Sequence, residues 1–119
     1  MEMILIVGFL LTLASVFYAF QQGDERASDP LQEALDAGAL ILDVRSVFEF
    51  HAGHVTGAVN VPLEELDERL GELGPSARTI VVYCRSGARS RQAAQVLERA
   101  GFDVLDAGTM AALGSRNAS

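Results

Sequence analysis

The segment Thr79-Ile80-Val81-Val82-Tyr83 most narrows what this chain can become. It is rich in β-branched residues and shows no apolar–polar alternation, so as a strand it offers no face to water. Strands of that kind lie inside parallel sheets covered on both sides. The flanking sequence supplies the covers. Asp29-Pro30 followed by Gln32 reads as a helix start, with Asp at the N-cap and Pro at the first helical position. Leu31, Ala34 and Leu35 share its inner face, and Gly38 ends it. Residues 39–44 (ALILDV) form a short apolar run of strand length, residues 46–52 a helical turn or two, and residues 59–61 a second short strand stopped by Pro62. Leu63, Leu66, Leu70 and Leu73 fall at the spacing of an amphipathic helix closed by Gly74-Pro75. Ala93, Val96, Leu97 and Ala100 predict another one-faced helix with Gly101 as its cap, and residues 102–105 a last strand. Strand and helix alternate throughout, which requires crossover connections and an α/β layered domain.

Composition removes several function classes. Half the residues are apolar and 21% are charged, against a disordered chain. The formal charge is -7, and all nine basic residues are Arg. With no basic stripe, nucleic acid is not an expected partner. The single cysteine, Cys84, excludes an internal disulfide and a multi-cysteine zinc site. His51 and His54 do not make a metal spacing with it, so neither a metal nor a cofactor is expected.

Residues 3–20 (MILIVGFLLTLASVFYAF) carry no charge. As a helix they would reach about 27 Å, close to a hydrocarbon core of about 30 Å. Phe17, Tyr18 and Phe20 sit where an aromatic belt would lie. A cleaved secretory signal is the rival reading. It should open on Lys or Arg, whereas only Glu2 precedes the run, and Phe17 spoils a small-x-small site at Ala19. A buried core helix is the remaining alternative. The expectation is a transmembrane anchor over residues 1–22, a polar linker over 23–28 and a globular domain over 29–119. With only Arg26 close by, the positive-inside rule has little to act on.

Cys84 stands at the carboxyl end of the apolar strand and is followed by Arg85-Ser86-Gly87-Ala88-Arg89-Ser90 leading into a helix. Ligands of open parallel sheets bind off that end of the strands. A helix N-terminus presents free amides and partial positive charge, and a tight loop there can aim several amides inward as an anion nest. Gly87 suits the bend. No acid occurs between Glu72 and Glu98, while Arg78, Arg85, Arg89 and Arg91 all do, so small anions would concentrate there. The same features lower a thiol pKa and yield a nucleophilic thiolate without a separate base. The bland alternative is that Cys84 is a small buried hydrophobe ending a strand.

Two motifs resemble those of rhodanese-type sulfurtransferase domains. The first runs Asp43-Val44-Arg45, Glu49-Phe50, then Gly53-His54-Val55-Thr56-Gly57-Ala58-Val59-Asn60-Val61-Pro62-Leu63; the second is the loop from Cys84 to Ser90. The C-terminal Asp106-Ala107-Gly108-Thr109-Met110 is more similar to the small exported members of the phage-shock-protein E type. The resemblance implies a three-layer fold whose five-stranded parallel sheet is flanked by helices. It also implies a ping-pong reaction through a persulfide on Cys84. Thiosulfate or a similar donor would supply the sulfur and cyanide or a thiol would accept it. Arg85, Ser86, Gly87, Ala88 and Arg89 would bind the substrate, their amides cradling the persulfide and the two guanidinium groups holding the donor. Asp43, Arg45 and Glu49 read as a fold-stabilising polar network, Gly53, Gly57 and Pro62 as turn positions, His54 as a loop-fixing hydrogen-bond partner and His51 as a surface residue. The short N-terminal tail before an anchor, together with the resemblance to exported members, favours a bacterial inner-membrane protein with its domain on the periplasmic side, the cytoplasmic side being the alternative; a monomer is expected. Two other functions stay open: a tethered persulfide carrier or binding module, and a cysteine phosphatase or arsenate reductase. The phosphatase loop places its Arg one residue further on, where this chain has Ser90.

Overall fold

A computed structural model of the chain describes residues 2–24 and 29–114, and the side chains of 5–18 and 29–114. Helices α1 (Glu2–Asp24) and α2 (Pro30–Asp36) precede strand β1 (Leu40–Asp43). Helix α3 (Val47–Ala52) and strand β2 (Val59–Asn60) follow, then two 3₁₀ helices, Leu63–Glu65 and Asp67–Leu73. Strand β3 (Thr79–Cys84), helix α4 (Ala88–Arg99), strand β4 (Asp103–Thr109) and helix α5 (Met110–Gly114) complete the domain. The strands form one parallel sheet in the order β2-β1-β3-β4. Leu42 stands opposite Val59 on one side and Val82 on the other, and β3 pairs with β4 from Thr79↔Asp103 to Cys84↔Thr109.

The apolar strand is central, as its lack of alternation requires. After Thr79 every residue of β3 is buried. Its side chains alternate between two cores. Ile80, Val82 and Cys84 join Leu42, Val44, Leu66, Ala93 and Leu97 on one face of the sheet. Val81 and Tyr83 join Ile41, Val55 and Leu113 on the other, with Leu31, Ala34 and Leu35 of α2 packed against them. Each large aliphatic so buried contributes about 1.5–3 kcal/mol, which is why the sheet needs both covers. Cys84 is therefore the last inward residue of the face that α4 covers.

Several expectations need correcting. The resemblance implied five strands; the described residues carry four, because the chain before β1 is helical and the chain after β4 turns into α5. The amphipathic stretch 63–73 forms two 3₁₀ pieces, not an α-helix. Neither piece has a side-chain cap, and Leu63, Leu66 and then Leu70, Leu73 repeat at the three-residue period that 3₁₀ geometry brings into line. In α4 the buried face is Ser90, Ala93, Ala94 and Leu97, which starts earlier than the apolar pattern alone indicates and takes a serine inward.

Helix α1 runs through the apolar N-terminal stretch, and its large described side chains are exposed, among them Leu5, Phe9 and Phe17. None of them belongs to either core. The expected membrane span is not found: among the described residues no helix is long and apolar enough to cross a membrane. Residues 25–28 of the expected linker and 115–119 of the expected domain lie outside the described residues.

Candidate active site

β3 delivers Cys84 to the edge of the sheet, and the next three residues turn the chain into α4. The turn depends on Gly87, the N-cap of α4, whose φ of +97° belongs to the left-handed region. That conformation aims the Gly87 amide back at the sulfur, and Sγ of Cys84 accepts from it at 2.9 Å. Ser90 is fully buried beneath the turn because it occupies a core-facing position of α4. Its hydroxyl donates to the Gly87 carbonyl at 3.0 Å, and the Gly108 carbonyl lies 3.5 Å away. Gly108 comes within reach because the β3–β4 register slips between Val82 and Tyr83.

Burial alone would push the Cys84 thiol up. Hydrogen bonds from the Ser90 hydroxyl and from the amides of Ser90, Gly87 and Ser86 outweigh it, and the net direction is down. A hydroxyl has one proton, so Ser90 gives it either to the Gly87 carbonyl or to the sulfur. The sequence pointed to peptide dipoles and guanidinium groups acting together, and the structure separates their shares. Arg89 and the sulfur do attract each other, but the leading causes at Cys84 are peptide amides and one serine. The sequence pattern marked the loop; it did not mark Ser90 as a partner of the thiol, since a helical serine gives no sign of facing inward.

Arg89 is turned to Glu49, donating from Nη1 to Oε1 at 2.7 Å and from Nη2 to Oε2 at 2.9 Å. Glu49 also closes the capping box of α3: its amide donates to Ser46 Oγ at 3.1 Å and its Oε1 accepts from the Ser46 amide at 3.4 Å. The Arg89 hydrogen bonds, helped by the Ser46 amide and opposed by burial, hold the Glu49 carboxyl at about 2. Glu49 thus ties α3 to the cysteine loop, and the polar network expected of Asp43, Arg45 and Glu49 divides into two.

The other half is buried. Arg45 donates to both oxygens of Asp43, at 2.7 Å from Nη2 to Oδ2 and at 3.0 Å from Nε to each, and from Nη2 to the Gly53 carbonyl. The Tyr83 hydroxyl donates to Asp43 Oδ2 at 2.7 Å and accepts from the Val55 amide at 3.0 Å. Burial, more than its partners, pushes the Tyr83 hydroxyl up to about 12. This group fixes the segment between α3 and β2 against the sheet. Beside it, Nδ1 of His54 lies 2.8 Å from the Phe50 carbonyl and the His54 ring stacks on Phe50 at 3.7 Å. His51 is exposed, and Gly53 and Gly57 take positive φ at their turns.

Cys84 itself has no exposed surface. A cavity of about 280 Å³ is lined by Arg45, Phe48, Glu49, Ala52, Arg85 and Met110, so it includes the residue that follows Cys84 but not Cys84 itself. The sequence reading expected the thiol at the foot of such an opening. The structure puts Arg85 in the cavity wall and draws the sulfur inward under the loop amides. Ser86, Gly87 and Ala88 form the loop and first turn around the sulfur.

Comparison with known proteins agrees with this geometry. Residues 27–111 match the model of the family described as Rhodanese-like domain. The chain is 39% identical over 62 residues to the thiosulfate sulfurtransferase PspE of Escherichia coli (strain K12), an alignment covering 51% of this chain and 60% of that protein. It is 39% identical over 67 residues to the putative sulfur carrier protein YrkF of Bacillus subtilis (strain 168), covering 56% and 36% respectively. The alignments thus span from 36% to 60% of the length of these curated relatives. Among solved structures it resembles a rhodanese with anions from E. coli, with a TM-score of 0.57 and 37% identity over 63% of this chain and 91% of that one. A Rhodanese_3 like domain from the Anabaena sp Alr3790 protein matches with a TM-score of 0.57 and 32% identity over 66% and 92%.

Proposed function

Given that the chain belongs to the rhodanese-like domain family, we propose that it is a sulfurtransferase working through a persulfide on Cys84. The thiolate of Cys84 attacks the outer sulfur of thiosulfate or a similar sulfane donor. A new S–S bond forms, the old one breaks, and its electron pair leaves with sulfite. Cyanide or a thiolate then attacks the outer sulfur of the persulfide, takes it away, and returns Cys84 as thiolate. The observation that carries this reading is the 2.9 Å hydrogen bond from the Gly87 amide to Sγ, at the start of α4 and backed by Ser90. Preorganised donors of this kind favour a charged sulfur and bear no reorganisation cost when the charge appears. Arg85, in the cavity wall, meets the donor; Arg89 braces the loop through Glu49.

Ser90 weighs against a phosphatase. It stands where that loop has its Arg, and it is buried, so no guanidinium clamps an anion from there. The carrier reading draws on the similarity to YrkF, named a putative sulfur carrier protein. Thiosulfate treatment followed by mass spectrometry tests persulfide formation, with a gain of one sulfur on Cys84 expected and no gain refuting both sulfur readings. Multiple turnovers with cyanide, lost in Cys84→Ser, separate an enzyme from a carrier.

A further inference from the structure

No residue from 46 to 54 is buried, although Arg45 before them and Val55 after them both are. The two buried neighbours are fixed points. Arg45 is paired with Asp43, and the Val55 amide donates to the Tyr83 hydroxyl. Between them lies α3, which adds no side chain to either core. A segment without buried apolar surface lifts at small cost, because little contact is lost when it does. What holds this one down is polar. Nη2 of Arg45 donates to the Gly53 carbonyl at 2.6 Å, close to the second fixed point. Further along, Arg89 donates twice to Glu49 from the first turn of α4.

Cys84 has no exposed surface, and the cavity is lined by Phe48, Glu49 and Ala52 of this segment together with Arg85 of the cysteine loop. A reagent in the cavity therefore does not touch the sulfur until one of the two sides moves. The loop side is committed, since its amides set the charge on the sulfur. The segment 46–54 has no such task. We propose that residues 46–54 form a strap that parts from the cysteine loop to admit reagents to Cys84, and that the Glu49–Arg89 pair is its latch. Glu49 is then a positioning residue acting through Arg89. Its carboxyl, held at about 2, stays ionised wherever the thiolate forms, so competing ions and not pH release the latch. The strap goes beyond the sulfurtransferase reading, because it requires only that Cys84 be reached, whatever the reagent.

Alkylation of the full chain by iodoacetamide, which carries no charge, tests this. The rate across pH yields two quantities: the thiol pKa from the midpoint, and access to the sulfur from the plateau where all of the thiol is ionised. The plateau rate of Glu49→Gln exceeds that of the wild type about fivefold, the worth of a half-exposed ion pair. In about 1 M sodium chloride, where the Debye length is about 3 Å, the wild-type plateau rises toward that of Glu49→Gln, and Glu49→Gln itself does not change. Ile80→Val controls for general loosening. It trims the core at the opposite end of β3 from Cys84, at a comparable cost in stability, and its plateau stays that of the wild type. Equal plateaus in the wild type and Glu49→Gln overturn the latch, as does a wild-type plateau that salt does not move. A plateau raised as much in Ile80→Val as in Glu49→Gln also overturns it, since unfolding of the whole domain is then the route to the sulfur. Alkylation transfers no sulfur, so the two readings part cleanly. Persulfide formation with equal plateaus keeps the sulfurtransferase and removes the strap; a raised, salt-insensitive Glu49→Gln plateau without persulfide does the reverse.

Discussion

Replacing Glu49 by Gln keeps the shape of the side chain and removes the charge that holds Arg89. Folding lowers this carboxyl from 4.5 to about 2, with the Arg89 hydrogen bonds as the main cause. Fully expressed, such a shift equals about 3 kcal/mol. The Arg89 and Glu49 side chains keep 32% and 27% of their surface in water. Screening of so accessible a pair leaves about 1 kcal/mol. The folded carboxyl is the stronger acid, so between pH 4.5 and about 2 the unfolded chain binds more protons than the folded one. The contribution is whole above pH 4.5 and fades as the pH falls toward about 2. Urea unfolding of the wild type and Glu49→Gln gives a gap of about 1 kcal/mol near pH 7 that shrinks by about half near pH 3. A gap of the same size at both pH values would refute the ion pair as its source, since Gln can still close the capping box with Ser46.

Cys84→Ser abolishes sulfur transfer while far-ultraviolet dichroism stays that of the wild type; residual turnover would remove Cys84 from the mechanism. Ser90→Ala raises the thiol pKa, read from the pH dependence of thiolate absorbance or of alkylation rate, and raises it more than Arg89→Ala does; the reverse order would make the guanidinium group the chief cause. Tyr83→Phe costs about 3 kcal/mol in chemical denaturation, because the buried Val55 amide loses its acceptor and Asp43 a donor, and a loss below about 1 kcal/mol would contradict that network. Deleting residues 1–22 leaves the melting temperature of the domain unchanged, since α1 adds no residue to either core; unfolding of the shortened chain would show that it does.

The layered architecture could be read directly from the sequence. A five-residue apolar strand without alternation admits only a doubly covered sheet, and each of the four strands overlaps an apolar run marked in the sequence, although β4 (Asp103–Thr109) extends four residues past the expected 102–105. The loop at Cys84 was legible for the same reason: a glycine beside a lone cysteine, at a strand-to-helix junction, is a local pattern. His54 against the Phe50 carbonyl and the positive φ of Gly53 and Gly57 were also within reach, because their partners lie nearby in the chain.

Local pattern fixes periods and turns, and it sufficed for the central strand, the covering helices and the position of the cysteine. It does not fix which distant groups meet. Glu49 and Arg89 are 40 positions apart, as are Asp43 and Tyr83. Only the approach of α3 to the first turn of α4 pairs the first two, and only the β1–β3 register brings the second two together. The half-turn of α4 that buries Ser90, the 3₁₀ winding of 63–73 and the inward pull on the sulfur likewise follow from packing. Each depends on space and hydrogen-bond partners supplied by other elements, and these exist only once the sheet has assembled.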